Sequence, residues 1–178
     1  KGGFFYRHNV NNLLKLCQTF FYEIDETLST KNDWQIFESE ISKDIILLDL
    51  VQIEKIKSQD KIQLYLNDID AYNLSPLEAA KKCNQFIFEN FRYVKGITTV
   101  ETTVDEILEF RSGVCQDFAH VLLQMLRTIG IPSRYVSGYI CPNKNGMRGE
   151  GATHAWVDAF IPNIGWIGLD PTNNCYAN

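Results

Sequence analysis

The chain has no CxxC pair and no HExxH run, and its five cysteines (Cys17, Cys83, Cys115, Cys141 and Cys175) are odd in number and widely separated. The missing spacings argue against a structural zinc site and a zinc protease, and the odd count argues against a disulfide framework. A chain of 178 residues is also long enough to bury a substantial core without covalent staples. Reduced thiols are therefore the expectation, and with them a reducing, cytoplasmic compartment. The chain begins at Lys1 rather than at a methionine, which leaves open a targeting segment ahead of it. No apolar run is longer than the IILL at 45–48, far short of a bilayer-spanning helix. No basic run or aromatic-basic interleaving is present, and the net charge is −5, which disfavours nucleic acid and anionic membrane surfaces as partners. No oxygen-rich loop has EF-hand spacing, so neither calcium nor any other metal or cofactor is expected. Internal repeats and low-complexity tracts are absent too.

What is there has an ordinary globular composition, 45% apolar and 22% charged, sized for one domain with a helical extension at its front. Residues 11–28 carry Leu13, Cys17, Phe20, Phe21, Ile24 and Leu28 at helical spacing. A second helix is expected over 33–57, through Trp34, Phe37, Ile41, Ile45, Leu48 and Ile56, with an extended segment at 45–51 as the alternative. Ser75-Pro-Leu-Glu78 combines an N-cap, a proline at the first helical position and a capping box, and opens a helix to about residue 91. Thr103-Val-Asp-Glu106 is another capping box, and its short helix ends where Ser112-Gly113 turns the chain. Residues 132–141, 153–161 and 166–170 read as strands. The last two are joined by Pro162-Asn163-Ile164-Gly165 into an antiparallel hairpin. The glycine- and asparagine-rich stretch 142–151 is long enough to gate a cleft.

One cysteine stands out by its position. After Cys115, the residues Phe118, Leu122, Met125, Leu126 and Ile129 follow a helical period, which Gly130 and Pro132 end. Cys115 thus lies at or just before a helix N-terminus, where orphan N–H groups and the macrodipole favour an anion and a thiol ionises near neutral pH. A small buried core residue is the other reading of such a cysteine. Hairpin pairing places two more groups, because a loop of two to four residues sets His154 opposite a residue at 171–173. Asp170 is then its near or diagonal neighbour, within reach of the imidazole if the two share a face. Taken singly, His154 reads as a core histidine and Asp170 as an Asp-Pro turn starter. Together with Cys115 they are the parts of an activated thiol nucleophile. His120 falls in line with Gln116, Gln124 and Arg127 on the polar side of the cysteine helix and is read as solvated, and His8 has no partner in view. A zinc set of Cys115, His120, His154 and Cys141 matches no usual ligand spacing.

Four blocks carry a family likeness. Gly113-Val-Cys115-Gln-Asp117-Phe-Ala, residues 127–136 (RTIGIPSRYV) with Gly138-Tyr139, Thr153-His154-Ala-Trp156, and Gly165-Trp166 to Asp170-Pro-Thr172 together resemble the transglutaminase-like superfamily, especially its bacterial members read as cysteine proteases. The likeness covers about residues 75–175. It implies an α+β, papain-like core at 73–178, a central helix carrying the cysteine on an antiparallel sheet; the helical N-terminal region at 1–72 is read from its own apolar spacing and is not explained by the likeness. Carried over by position, Cys115 is the nucleophile, His154 the general base and acid, and Asp170 the orienting carboxylate. Trp156 matches an aromatic expected to line the cleft. The Cys115 N–H is the implied first oxyanion donor, worth about 3 kcal/mol, and Tyr93 is the candidate for the second. The implied activity is amide-bond chemistry on a peptide or protein through a thioacyl intermediate, released to water as in a protease or to an amine as in a transglutaminase. A binding domain on the same fold is the alternative, and the oligomeric state is open.

Overall fold

The computed structural model describes residues 5–6, 24–140 and 153–177. His8, Cys17, Cys141, the gating stretch at 142–151 and most of the helix expected at 11–28 lie outside the described residues. In chain order the elements are β1 (Phe5–Tyr6), α1 (Asp33–Ile41), α2 (Ile45–Leu50), α3 (Gln59–Asp68), α4 (Pro76–Asn90), β2 (Arg92–Tyr93), α5 (Val104–Phe110), β3 (Ser112–Gly113), α6 (Cys115–Thr128), β4 (Ser133–Ile140), β5 (Thr153–Ile161), β6 (Gly165–Asp170) and β7 (Cys175–Tyr176). This is the α+β arrangement expected, with helices set against an antiparallel sheet.

The local signals act where they are written. Ser75 Oγ accepts from the Glu78 N–H, and Glu78 Oε2 accepts from the Ser75 N–H at 3.2 Å, closing the box that starts α4. Thr103 and Glu106 do the same for α5. The single helix expected over 33–57 is two, because Asp44 caps instead of continuing. Its Oδ1 accepts from the Ile46 N–H at 2.8 Å and starts α2 afresh. Residues 45–50 are helical, so the extended alternative is not adopted. Glu26–Leu28 is one 3-10 turn, not the end of a longer helix. Helix α3 is absent from the expected series, although Ile62, Tyr65, Leu66 and Ile69 recur at i, i+3, i+4 and i+7.

Helix α6 is the hub, packed on α3, α4, α5, β4 and β5. Phe118, Ala119, Val121, Leu122, Met125 and Leu126 are fully buried, and each large side chain among them contributes about 1.5–3 kcal/mol. Its end is a Schellman turn: Gly130 at φ 87° donates to the Arg127 carbonyl, and the Ile131 N–H donates to that of Leu126 at 2.9 Å. Phe37, Ile62, Tyr65 and Leu66 belong to the same core as the residues of α4 to β6. The polar side of α6 is not all solvated. Gln124 is buried and donates to the Glu54 carbonyl and Gln59 Oε1, while Arg127 donates to the carbonyls of Ser133 and Gln52. The chain at 52–59 lies along that side, and unpaired buried amides there would be costly.

The five-stranded sheet has the order β1-β4-β5-β6-β7, antiparallel throughout. The β5–β6 pairing closes at Ile161↔Gly165, so the loop is Pro162-Asn163-Ile164, with Asn163 at φ 64° and Gly165 at φ 92°. Gly168, paired with Asp158, lies under the C-terminal segment: a Cβ there would sit 1.8 Å from the Ala177 carbonyl oxygen, and the Ala177 N–H donates to the Gly168 carbonyl. Gly168→Ala is expected to cost on the order of 3 kcal/mol and lower the melting temperature by about 6–12 °C. A melting curve within about 2 °C of the parent would show that the 175–177 segment moves aside freely.

Candidate active site

The approach to Cys115 is built from two short strands. β2 and β3 pair in parallel, Arg92↔Ser112 and Tyr93↔Gly113, and the Val94 N–H donates to the Gly113 carbonyl at 2.9 Å. The turn expected at Ser112-Gly113 is made one residue earlier by Arg111, at φ 46°, with its guanidinium over the Tyr65 ring at 5.3 Å. Gly113 is needed for close approach instead, because a Cβ would lie 2.5 Å from Asp117 Oδ2. Val114 takes the N-cap position in extended backbone, and Cys115 follows as the first residue of α6, 7% exposed.

His154 lies on β5 opposite Gly138, and Asp170 ends β6. Extending the register past Val157↔Leu169 sets His154 opposite Thr172, which makes Asp170 its diagonal neighbour on the same face. The two are fully buried side chains, with His154 Nε2 3.0 Å from Asp170 Oδ2. Asp170 is also a turn starter: Oδ1 accepts from the Thr172 N–H at 2.8 Å, and Oδ2 accepts from Asn173 Nδ2 at 2.6 Å. The two readings of this aspartate are therefore one, since the bonds that shape the turn also fix the carboxylate beside the imidazole. Burial is the largest influence on His154 and pulls its pKa down. Hydrogen bonds to Asp170 and Cys115 and the charges on both outweigh it, raising the group from 6.5 to about 9.

Tyr93 packs edge-on to Phe118 at 6.3 Å, half-buried, in the strand beside Gly113. Trp156 does not line an open wall. It is 2% exposed and packs with Val136, Cys175 and Ala177, on the sheet face that carries His154 and Asp170, because alternation puts every second residue of β5 on that side. His120 is exposed but stacked on Tyr135, ring centroids 5.3 Å apart. Burial first, then the charges on Cys115 and Asp117, pushes the Tyr135 hydroxyl above its ordinary range, which places this ring within electrostatic reach of the thiol. Tyr135 and Asp117 are residues that sequence reasoning passed over; the period-2 alternation of β4 was the available signal for the first. Among the described residues, no group of three or more His, Cys, Asp or Glu is arranged to hold a metal ion.

A family model described as transglutaminase-like superfamily matches residues 64–171, more than half of the chain. The chain belongs to the transglutaminase-like superfamily. An uncharacterised protein of Mycobacterium tuberculosis is 45% identical over 96 residues, 49% of this chain and 31% of that protein. The protein-glutamine gamma-glutamyltransferase of Pseudomonas aeruginosa is 37% identical over 95 residues, 49% of this chain and 14% of that protein. Among solved structures, a candidate cysteine protease of Cytophaga hutchinsonii superposes with a TM-score of 0.61 at 25% identity, covering 74% of this chain and 44% of that one. The periplasmic domain of TgpA from P. aeruginosa gives 0.57 at 26% identity, covering 73% of this chain and 49% of that one. The transglutaminase-like domain thus spans well under half the length of its curated relatives.

Proposed function

We propose that this transglutaminase-like chain is a thiol-dependent amide-bond enzyme acting on a peptide or protein, with Cys115 as nucleophile, His154 as general base and acid, and Asp170 as the orienting carboxylate. What carries the reading is one buried imidazole 3.0 Å from the Asp170 carboxylate, with Cys115 among the groups that raise its pKa. Cys115 Sγ attacks the carbonyl carbon, and His154 gives a proton to the leaving amine as the C–N bond breaks. A thioester on Cys115 remains, and water releases the acid with His154 now taking the proton. The likeness of fold to the C. hutchinsonii candidate protease favours water as the acceptor. A second reading is transfer of the acyl group to an amine, which the P. aeruginosa glutamyltransferase favours. Product analysis with and without an added primary amine separates the two. Among the described residues Cys83 and Cys115 are free thiols, which fits a reducing compartment, whereas the TgpA structure is of a periplasmic domain, so fractionation of cells making the full-length protein is the matching test of location.

The direct test of the nucleophile is iodoacetamide labelling of each cysteine, read by mass spectrometry, on the parent and on His154→Ala. At pH 6 Cys115 is expected to label at least about tenfold faster than Cys83, whose thiol burial pushes up, and His154→Ala should remove that advantage. Slow labelling at equal rates for both would leave a binding domain on this fold as the better account.

A further inference from the structure

The first turn of α6 is held in an unusual way. Val114 is at the N-cap and has no side-chain acceptor, so the usual cap is missing. Asp117, two residues past the cysteine and only 6% exposed, reaches back instead: Oδ2 accepts from the Val114 N–H at 2.7 Å. The same oxygen accepts from the Thr98 hydroxyl at 2.7 Å, tying the β2–α5 connection to the head of the helix. Gly113 leaves the room this carboxylate occupies. The bond to Val114 fixes the Gly113–Val114 peptide; the next peptide, which carries the Cys115 N–H, is held through the Val114 carbonyl, which accepts from the Phe118 N–H at 3.1 Å. The Cys115 N–H is among the helix N–H groups with no partner inside the helix, and it is the backbone donor nearest the thiol.

We propose that Asp117 is the positioning residue of the acylation step: by holding the Val114 N–H and Thr98 together, it fixes where the head of α6 begins, and with it where the Cys115 N–H stands relative to the oxygen that becomes negative when the thiol attacks. The inference rests on Cys115 being the nucleophile. It assigns Asp117 a role beyond that of a favourable charge at a helix start, which would affect stability but not one kind of reaction over another. An oxyanion donor matters only where a carbonyl oxygen gains charge. Acylation by p-nitrophenyl acetate has that demand: Sγ bonds to the acetyl carbon, the ester C–O bond breaks, p-nitrophenolate departs and an acetyl thioester remains. Alkylation by iodoacetamide has no such demand, since Sγ displaces iodide at a methylene carbon.

Both rates are measured on the parent, Cys115→Ala, Asp117→Ala, Asp117→Asn and Thr98→Val. Asp117→Ala should slow the p-nitrophenolate burst by about 10²-fold while alkylation of Cys115 stays within about threefold or rises. Asp117→Asn, which keeps an oxygen for the Val114 N–H, should recover to within about tenfold of the parent, with Thr98→Val between it and Asp117→Ala. An unchanged burst in Asp117→Ala, or burst and alkylation falling in parallel, overturns the proposal while Cys115 stays the nucleophile. A parent burst that survives Cys115→Ala overturns the nucleophile assignment and this inference with it. If Asp117→Ala does not fold, the same split between burst and alkylation is read from Thr98→Val, and its absence there is equally decisive.

Discussion

Cys115→Ala, His154→Ala and the double variant are expected to lose acyl transfer to the same extent, on the order of 10⁴-fold or more, because groups that act as one proton-transfer unit are not additive. In the proposed mechanism Cys115 supplies the electron pair and His154 moves the proton, so neither half has a use for the other once its partner is gone. Kinetics on a fluorogenic peptide amide and on p-nitrophenyl acetate read the three losses side by side. A Cys115→Ala protein that retains the parent rate on both substrates would end the proposed mechanism. The pH profile adds an independent check. His154 keeps its proton to about pH 9 while it bonds both Asp170 and Cys115, so the alkaline limb of kcat/KM is expected near that value. In Asp170→Ala two of the influences that raise His154 disappear while the burial that lowers it remains, and the limb should shift to lower pH.

Asp170→Ala is expected to damage both stability and turnover. It leaves the Thr172 N–H, the Asn173 amide and His154 without the acceptor they share in a buried site, a loss of about 3–5 kcal/mol near neutral pH. Turnover should fall by about 10²–10⁴-fold, whereas Asp170→Asn, which offers an amide oxygen to the imidazole as in Cys-His-Asn enzymes, should retain far more. The pH dependence of stability has a definite sign. The folded-state pKa of His154 is above its ordinary 6.5, so its stabilisation is fully present below 6.5 and is lost as pH rises through about 9. Urea unfolding at pH 6 and pH 9.5 should therefore show the gap between parent and Asp170→Ala narrowing by on the order of 3 kcal/mol at the higher pH. A gap that is constant across this range would mean that His154 titrates alike in the folded and unfolded chains.

Much of the site was legible because its parts are specified by short-range rules. A cysteine followed by a helical period must lie at a helix start, and a short loop between two strands restricts which residues can stand across from His154. The registered pairing lands inside that restriction, and the face shared by His154 and Asp170 follows from the parity of a three-residue loop. Trp156 was harder to place. Its spacing from His154 puts it on the right side of the strand, but whether that side faces a cleft or a C-terminal segment depends on residues 175–177, which return over β6. The Thr98–Asp117 contact was illegible for the same reason, since Thr98 comes to the carboxylate from beyond the helix.

The sequence by itself determined both capping boxes, the Schellman end of α6, the β5–β6 hairpin and the position of Cys115 at a helix start, because each depends on groups only a few residues apart. Only the tertiary structure decided that the polar side of α6 would be bonded by 52–59. It alone set the strand order and joined Cys115 to the His154–Asp170 pair. Those outcomes depend on which apolar faces bury one another and on finding a partner for every polar group they enclose. That balance is struck between segments many tens of residues apart, and no local pattern encodes it.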